Sequence, residues 1–311
     1  MSTLSFNLPS FAKINWSLRV LGRRADEYHE VSTVLQTVSL RDELQFVPRD
    51  DARVKLSCDD PQIPTDESNL LIRAASALRD RFHISAGATI HLEKRIPAQA
   101  GLGGASSNAA VALMGLMKLW NLDIDLARMS ELGARLGADV PFFFLGGRAL
   151  ATGIGTNLKA LTDYPKTHLL IVKPNAMVST SDAYKAMRAP ALTSPIDDSI
   201  LTSSCAADGF ADNEQSELHN DFERVIFEIE PEIERARTAL LKSGANGALL
   251  AGSGSSVFGI FDNAEAQARA FREFRAEPGW RIFPCVTVTR DEYLQTFDAC
   301  GVSLLRGQSE I

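Results

Sequence analysis

Residues 96–120 read IPAQAGLGGASSNAAVALMGLMKLW. A proline follows the first isoleucine, then come Gly101, Gly103 and Gly104, and Ser106, Ser107 and Asn108 stand where an apolar, alanine-rich run begins. Glycine lets backbone amides approach a ligand closely and tolerates positive φ. A helix starting just after such a loop turns unpaired N–H groups and the positive end of its dipole back toward it. Together these features form a phosphate site. Ser106 or Ser107 would cap the helix, donate to a phosphate oxygen or reach a magnesium ion. A tight turn with a serine cap draws on the same residue types, but three glycines and two serines within residues 101–107, ahead of an apolar helix, favour the phosphate.

The familiar phosphate loops do not fit. A P-loop needs lysine after its last glycine, and here Gly104 is followed by Ala-Ser-Ser-Asn. The dinucleotide fingerprint needs a third glycine and a place after the first strand. The G-x-S-x-G nucleophile elbow is missing as well.

Outward from this loop, the first half mixes strands and helices. AKINWSLRVLG (12–22) and EVSTVLQTVSL (30–40) read as strands, and LQFVPRDDARVKLSC (44–58) as two short strands joined by a polar turn. ESNLLIRAASALRDRF (67–82) has helical spacing behind a Ser68/Asn69 cap signal. ATIHLEKRIP (88–97) alternates and leads into the loop, after which a helix is expected from Ser107 to Trp120. DLARMSELGARLG (125–137) is a further helix closed by Gly137. ADVPFFFLGGRALATGIGTNLKAL (138–161) returns to strands, with Gly146-Gly147 and Gly153 to Gly155 marking turns.

THLLIVKPN (167–175) opens a second unit, which sets the expected domains at 1–163 and 164–311. SDAYKAMR (181–188) is a short helix. Arg188 to Ser216 is rich in Pro, Ser, Asp and Ala and reads as a long loop. FERVIFEIEPEIERARTALLKSG gives two helices broken near Pro231, GALLAGSGSSVFGIF a strand, Gly/Ser turn and strand, AEAQARAFREFRA a helix, and WRIFPCVTVTR a closing strand. The mixture points to α+β rather than a doubly wound parallel sheet.

The chain of 311 residues has room for two domains or one large one. Hydrophobic residues make up 45% and charged residues 23%, ordinary for a globular protein. With 32 basic and 39 acidic residues the net charge is −7, which disfavours a nucleic-acid surface but allows a local positive site. The start, MSTLSFNLPSFAK, lacks a signal pattern, and no apolar run reaches membrane-span length, so a cytoplasmic protein without membrane attachment is expected. Cys58, Cys205, Cys285 and Cys300 form no CxxC pair and read as free thiols. The five histidines lack metal-site spacing.

The order Pro97-x-x-x-Gly101-Leu102-Gly103-Gly104-Ala105-Ser106-Ser107-Asn108 resembles the phosphate loop of the GHMP kinase superfamily. FAKINWSLRVLGRRADEYHEV resembles its N-terminal block and LLAGSGSSVFGIF its C-terminal glycine-rich turn. Within the superfamily, AKIN with GRRADEYHEV, LGADVPFF and HNDFE are similar to the 4-diphosphocytidyl-2-C-methyl-D-erythritol kinase family. The resemblance covers most of the chain. It implies a two-domain GHMP kinase fold, with an N-terminal ribosomal-protein-S5-like, ATP-binding domain and a C-terminal ferredoxin-like (α/β-plait) domain on the substrate side. It further implies ATP with Mg2+, a cytidine diphosphate-linked methylerythritol as substrate, and a monomer or weak homodimer.

The same resemblance distributes roles. Asp139, otherwise an ordinary turn aspartate, becomes the catalytic carboxylate that orients the acceptor hydroxyl and accepts its proton. Lys13, which in a strand would normally be a surface lysine, stands beside it and stabilises developing charge. Asn15, two positions along the strand, faces the same way as Lys13 and would bind a substrate hydroxyl. Pro97, Gly101, Leu102, Gly103, Gly104, Ser106, Ser107 and Asn108 hold the ATP phosphates, with Ser107 as a magnesium ligand. Tyr28 stacks on the cytosine, His29 bonds its polar edge, and Thr180 and Tyr184 complete the substrate side. Gly252 to Ser255 close against it. Homoserine or a mevalonate-type alcohol as acceptor, or a non-catalytic ligand sensor on the same scaffold, are the competing readings. Three positions depart from the family pattern: Glu27 stands where glycine is usual before Tyr-His, Phe11 where proline is usual, and Ala105 where a further glycine is common.

Overall fold

The computed structural model describes residues 5–192, 218–275 and 277–304. Two strands dominate the first half and are long rather than short: β1 (Phe6–Arg23) and β2 (His29–Arg49). They pair antiparallel almost throughout, with register shifts at Phe11/Ala12 and Asn15/Ser17. Alternation on β1 sets up the site. Ala12, Ile14 and Trp16 enter an apolar core, while Lys13 and Asn15 point to the other face.

The strands expected over 44–58 exist, but they do not pair with each other. β3 (Val54–Cys58), helix α1 (Leu70–Phe82) and β4 (Gly87–Glu93) form a strand–helix–strand unit, and β4 lies between β2 and β3, parallel to β3. A helix between two strands gives the length that a parallel crossover requires. Asn69 caps α1, its side chain accepting from the Leu71 N–H.

Helix α2 (Gly104–Leu119) starts three residues earlier than its composition suggests. Gly103 is its N-cap, at φ 69, and makes no side-chain cap bond. The turn is therefore completed by glycine in the left-handed region, and neither Ser106 nor Ser107 caps the helix. Helix α3 (Leu126–Leu136) is capped by Asp125, and Gly137 follows it with extended backbone at φ 177, so the closure is not a left-handed one. The strand expected through 142–145 is instead one helical turn, α4 (Phe142–Leu145), entered through Pro141. Strands β5 (Arg148–Gly153) and β6 (Asn157–Ala160) follow; β5 pairs with β2 and with β6.

The second half builds another sheet from β7 (His168–Lys173), β9 (Gly247–Leu250), β10 (Val257–Phe261) and β11 (Arg281–Val286), in the order β11-β7-β10-β9. Between β7 and β9 lie α5 (Thr180–Met187), β8 (His219–Asn220), α6 (Glu223–Ile229) and α7 (Pro231–Lys242). β8 joins the first sheet, parallel to β1. Of the segment expected as a long loop, Arg188 ends α5 at φ 46 and Ala191 bridges to Arg23; residues 193–216 of it, with Cys205, lie outside the described residues. Helix α8 (Ala264–Phe274) covers the second sheet.

Three apolar clusters hold the molecule together. One lies under the first sheet and a second within the later unit. The third joins the sheets, with Ile14 and Trp16 from β1 packed with Leu169, Ile171 and Phe258. The last helix, α9 (Arg290–Ala299), was not read from the sequence. It returns to the first core, where Tyr293 and Phe297 are fully buried, so the chain after residue 163 is not confined to the later unit. Cys58, Cys285 and Cys300 are free thiols. Among the described residues no helix is long and apolar enough to cross a membrane.

Candidate active site

The glycine loop is held from two sides. The Lys13 N–H donates to Leu102 O at 3.0 Å, and the Ser256 N–H to Ala100 O at 3.2 Å. The loop thus joins β1 to the turn between β9 and β10. Gly101 sits at φ 74, and a Cβ there would lie 1.9 Å from Ala251 O. Gly103 sits at φ 69, and a Cβ there would come within 2.9 Å of Lys13 Cγ. Both positions require glycine for conformation and for space.

A cleft of about 1320 Å³ opens beside this loop. Nearly all the expected residues line it. Lys13 and Asn15 come from β1, and Tyr28 and His29 from the end of the β1–β2 turn. Pro97, Gly101, Leu102, Gly103 and Gly104 come from the loop, Ser106 and Asn108 from the first turns of α2, Asp139 from beyond α3, and Thr180 and Tyr184 from α5. Ser107 does not line the cleft. It is fully buried and accepts a 2.7 Å hydrogen bond from the Ser10 hydroxyl. Gly252 and Ser253 reach the cleft, and Thr180 Oγ1 lies 3.0 Å from Ser253 Oγ, which ties the start of α5 to the Gly/Ser turn.

The charged centre is small. Lys13 is only 4% exposed. Its ammonium donates to Asn15 Oδ1 at 2.9 Å and lies 3.3 Å from Asp139 Oδ2. A buried lysine needs such partners. Asn15 is fixed in turn, donating to Thr33 Oγ1 at 2.8 Å, and Thr33 donates to Ser17 O at 2.6 Å. The Asp139 carboxylate is half-buried and open to the cleft. A carboxylate and an ammonium held side by side in a cleft can orient a hydroxyl, take its proton and steady the charge that develops.

At the other end of the cleft the aromatic side chains pack on one another. His29 stacks on Tyr184 with centroids 4.6 Å apart and planes at 25°, and Phe222 meets Tyr184 edge-on at 4.9 Å. Tyr28 is 61% exposed. Burial, and then the nearby Asp139 charge, push the Tyr184 phenol up to about 12. Burial, and then the Arg23 charge, lower the His29 imidazole below its ordinary value. Glu27 takes φ 69, the left-handed conformation that favours glycine.

The opening turn of α2 fits phosphate groups. No side chain caps it, glycines remove the Cβ atoms that would fill the cradle, and Gly103, Gly104 and Ser106 face the cleft. Among the polar cleft residues that the sequence did not single out are Thr33 and Lys94. Thr33 orients Asn15 from the neighbouring strand, a cross-strand relation that no local pattern reveals. Lys94, three positions before the loop, looks in sequence like any charged strand end.

Among the described residues no group of three or more His, Cys, Asp or Glu side chains stands ready for a metal ion.

Comparison with known proteins bears on all of this. Models of the GHMP kinases N terminal domain and the GHMP kinases C terminal match residues 69–147 and 206–278. The 4-diphosphocytidyl-2-C-methyl-D-erythritol kinase of Syntrophus aciditrophicus is 41% identical over 88% of this chain and 96% of its own length. That of Syntrophotalea carbinolica is 42% identical over 88% and 95%. A crystal structure of 4-(cytidine 5'-diphospho)-2C-methyl-D-erythritol kinase superimposes with TM-score 0.74 at 34% identity, covering 90% of this chain and 98% of that one. The mevalonate kinase of Methanococcus jannaschii, at 14% identity and TM-score 0.69, shares the fold.

Proposed function

The chain belongs to the 4-diphosphocytidyl-2-C-methyl-D-erythritol kinase family of GHMP kinases, and from that premise we propose that it transfers the γ-phosphoryl of ATP to a hydroxyl of 4-diphosphocytidyl-2-C-methyl-D-erythritol, giving the 2-phosphate in non-mevalonate isoprenoid precursor biosynthesis. The observation that carries the mechanism is the Lys13–Asp139 pair facing the same cleft as the uncapped start of α2.

Asp139 orients the acceptor hydroxyl and takes its proton as the hydroxyl oxygen bonds to the γ-phosphorus and the bond from that phosphorus to the departing ADP breaks. Lys13 and the backbone N–H groups of the glycine loop offset charge on the transferred group, so that catalysis is mostly positioning and electrostatics. ATP supplies the phosphoryl group, and its phosphates rest against Gly101, Gly103, Gly104 and Ser106. Magnesium would be held mainly by phosphate oxygens and water and would supply positive charge against the phosphates. Ser106, whose residue lines the cleft, is better placed to assist it than Ser107, whose hydroxyl is engaged with Ser10. Asn15 bonds a substrate hydroxyl. Tyr28 stacks on the cytosine, His29 reads its polar edge, and Tyr184 backs the histidine ring. Stacking on one base is worth about 1–3 kcal/mol.

The test is transfer from γ-labelled ATP to 4-diphosphocytidyl-2-C-methyl-D-erythritol, homoserine and mevalonate by wild type and Asp139→Ala. Labelling of the cytidine substrate alone, lost in the variant, is expected. Labelling of another alcohol would overturn the roles given to Tyr28 and His29.

A further inference from the structure

Asp42 lies on β2 opposite Ser10 of β1, is fully buried and does not line the cleft. Its carboxylate accepts four hydrogen bonds. Oδ1 receives the backbone N–H groups of Arg95 and Ile96, each at 2.7 Å. Oδ2 receives the Lys94 ammonium at 2.5 Å and the Asn108 amide at 2.9 Å. Such a set fills the acceptor capacity of a carboxylate. Lys94 donates again, to Ile96 O at 2.7 Å. Asn108 also donates to Ser10 Oγ at 2.8 Å, and Ser10 donates on to Ser107.

Arg95 and Ile96 come immediately before the glycine loop, and Asn108 lies on the helix that follows it. One carboxylate on a separate strand therefore fixes both ends of residues 97–103. A glycine-rich loop has much backbone freedom to lose, and a ligand that must order it binds more weakly. A buried ion pair is in itself a weak source of stability. What these four bonds supply is geometry.

We propose that Asp42 is a positioning residue for phosphoryl transfer: by mooring both ends of the glycine loop it sets the affinity and alignment of ATP without touching either substrate. The inference rests on the assignment of that loop to the ATP phosphates. Asparagine at position 42 keeps the shape and one acceptor oxygen. Its amide then faces the Asn108 amide, donor against donor, so the helix end of the loop is released.

The experiment compares wild type with Asp42→Asn and with the double variant Asp42→Asn/Lys94→Met, the latter read against Lys94→Met alone because Lys94 itself lines the cleft. The double variant leaves no unpaired buried charge and so keeps a folded chain. Calorimetry gives the dissociation constant of a non-hydrolysable ATP analogue, and steady-state kinetics give KM for each substrate. Both variants are expected to bind the analogue about tenfold more weakly or worse, a difference of 1.4 kcal/mol or more, with KM for the cytidine substrate unchanged. A general loss of structure would not separate the two substrates in this way. Unchanged analogue affinity in both variants, or parallel rises in both KM values, would overturn the proposal. Gly103→Val, which fills the cradle, is the control. If it too leaves analogue affinity intact, the loop assignment itself fails; if it alone weakens binding, only the role of Asp42 fails.

Discussion

Lys13 Nζ lies 3.3 Å from Asp139 Oδ2, although the two residues come from the first strand and from the turn after the third helix. The contact joins a buried ammonium to a carboxylate open to the cleft. Asp139→Asn keeps the size and removes the proton acceptor. Its kcat is expected to fall about 10²- to 10⁴-fold, the usual worth of a positioned base, with KM for ATP little changed. Lys13→Met should lower kcat by about 10²-fold or more through lost charge stabilisation. Steady-state assays with the cytidine substrate check both, and a wild-type kcat in Asp139→Asn would remove the carboxylate from the mechanism.

Gly101 is more constrained than Gly103. A methyl group at 101 meets a backbone carbonyl at 1.9 Å, whereas one at 103 meets the flexible stem of Lys13 at 2.9 Å. Each replacement also pays about 1–2 kcal/mol for the left-handed backbone. Gly101→Ala must in addition push the loop away from the β9–β10 turn. It is expected to lower Tm more than Gly103→Ala, while Gly103→Ala shows the larger ratio of kinetic to thermal damage because it displaces Lys13. Equal Tm losses would mean that the two loops part easily.

Glu27 is the departure from the family pattern with a visible cost. It holds φ 69, and its ion pair with Arg23 is 4.0 Å long and exposed, a geometry of little energetic value. Glu27→Gly removes about 1–2 kcal/mol of backbone strain and returns part of it as unfolded-state entropy. A net gain of about 0.5–1 kcal/mol is expected, a rise of roughly 1 °C in Tm for a chain of this length. A fall in Tm would show that the side chain contributes more than its contacts suggest.

The glycine loop was legible as a local pattern, small residues before an apolar run, and the shared face of Lys13 and Asn15 follows from their spacing of two on a strand; Asp139 was singled out by the family resemblance alone, its local context being that of an ordinary turn aspartate. The relations that decide how these parts meet are long-range. Asp42 is separated from Asn108 by 66 positions, and its LRDEL context looks like any polar strand. Strand β4 inserts between β2 and β3 because a helix intervenes, which a reading of adjacent strands as partners misses. Ser107 has the residue type of a phosphate ligand, but helical geometry turns its side chain to Ser10.

His29 gives the pH dependence. Burial, and secondarily the Arg23 charge, lower its pKa from the ordinary 6.5, so it is neutral at pH 7. The folded state favours the neutral ring. Its contribution to stability is therefore complete above about pH 6.5 and is lost as the pH falls through the lowered value. Protonation also removes the ring nitrogen's acceptor function and sets a cation near Arg23. KM for the cytidine substrate should be flat above pH 6.5 and rise on acidification, while His29→Asn shows a higher KM without that acid limb. An acid limb that survives the substitution would assign it to another group.

Tyr293 tests how the last helix is held. Its ring is fully buried against Phe11 and Phe297, and its hydroxyl donates to Phe143 O at 2.5 Å, so α9 bonds directly to the turn that follows Asp139. Thr289 and Glu292 form a capping box that starts this helix at a fixed place. Tyr293→Phe keeps the packing but leaves the Phe143 carbonyl without its side-chain donor, which costs about 1–3 kcal/mol for a buried group. Thermal unfolding should show that loss as a lower Tm, with KM for both substrates unchanged, since Tyr293 lies outside the cleft. A raised KM together with a normal Tm would instead mean that the helix sets the position of Asp139 through Phe143.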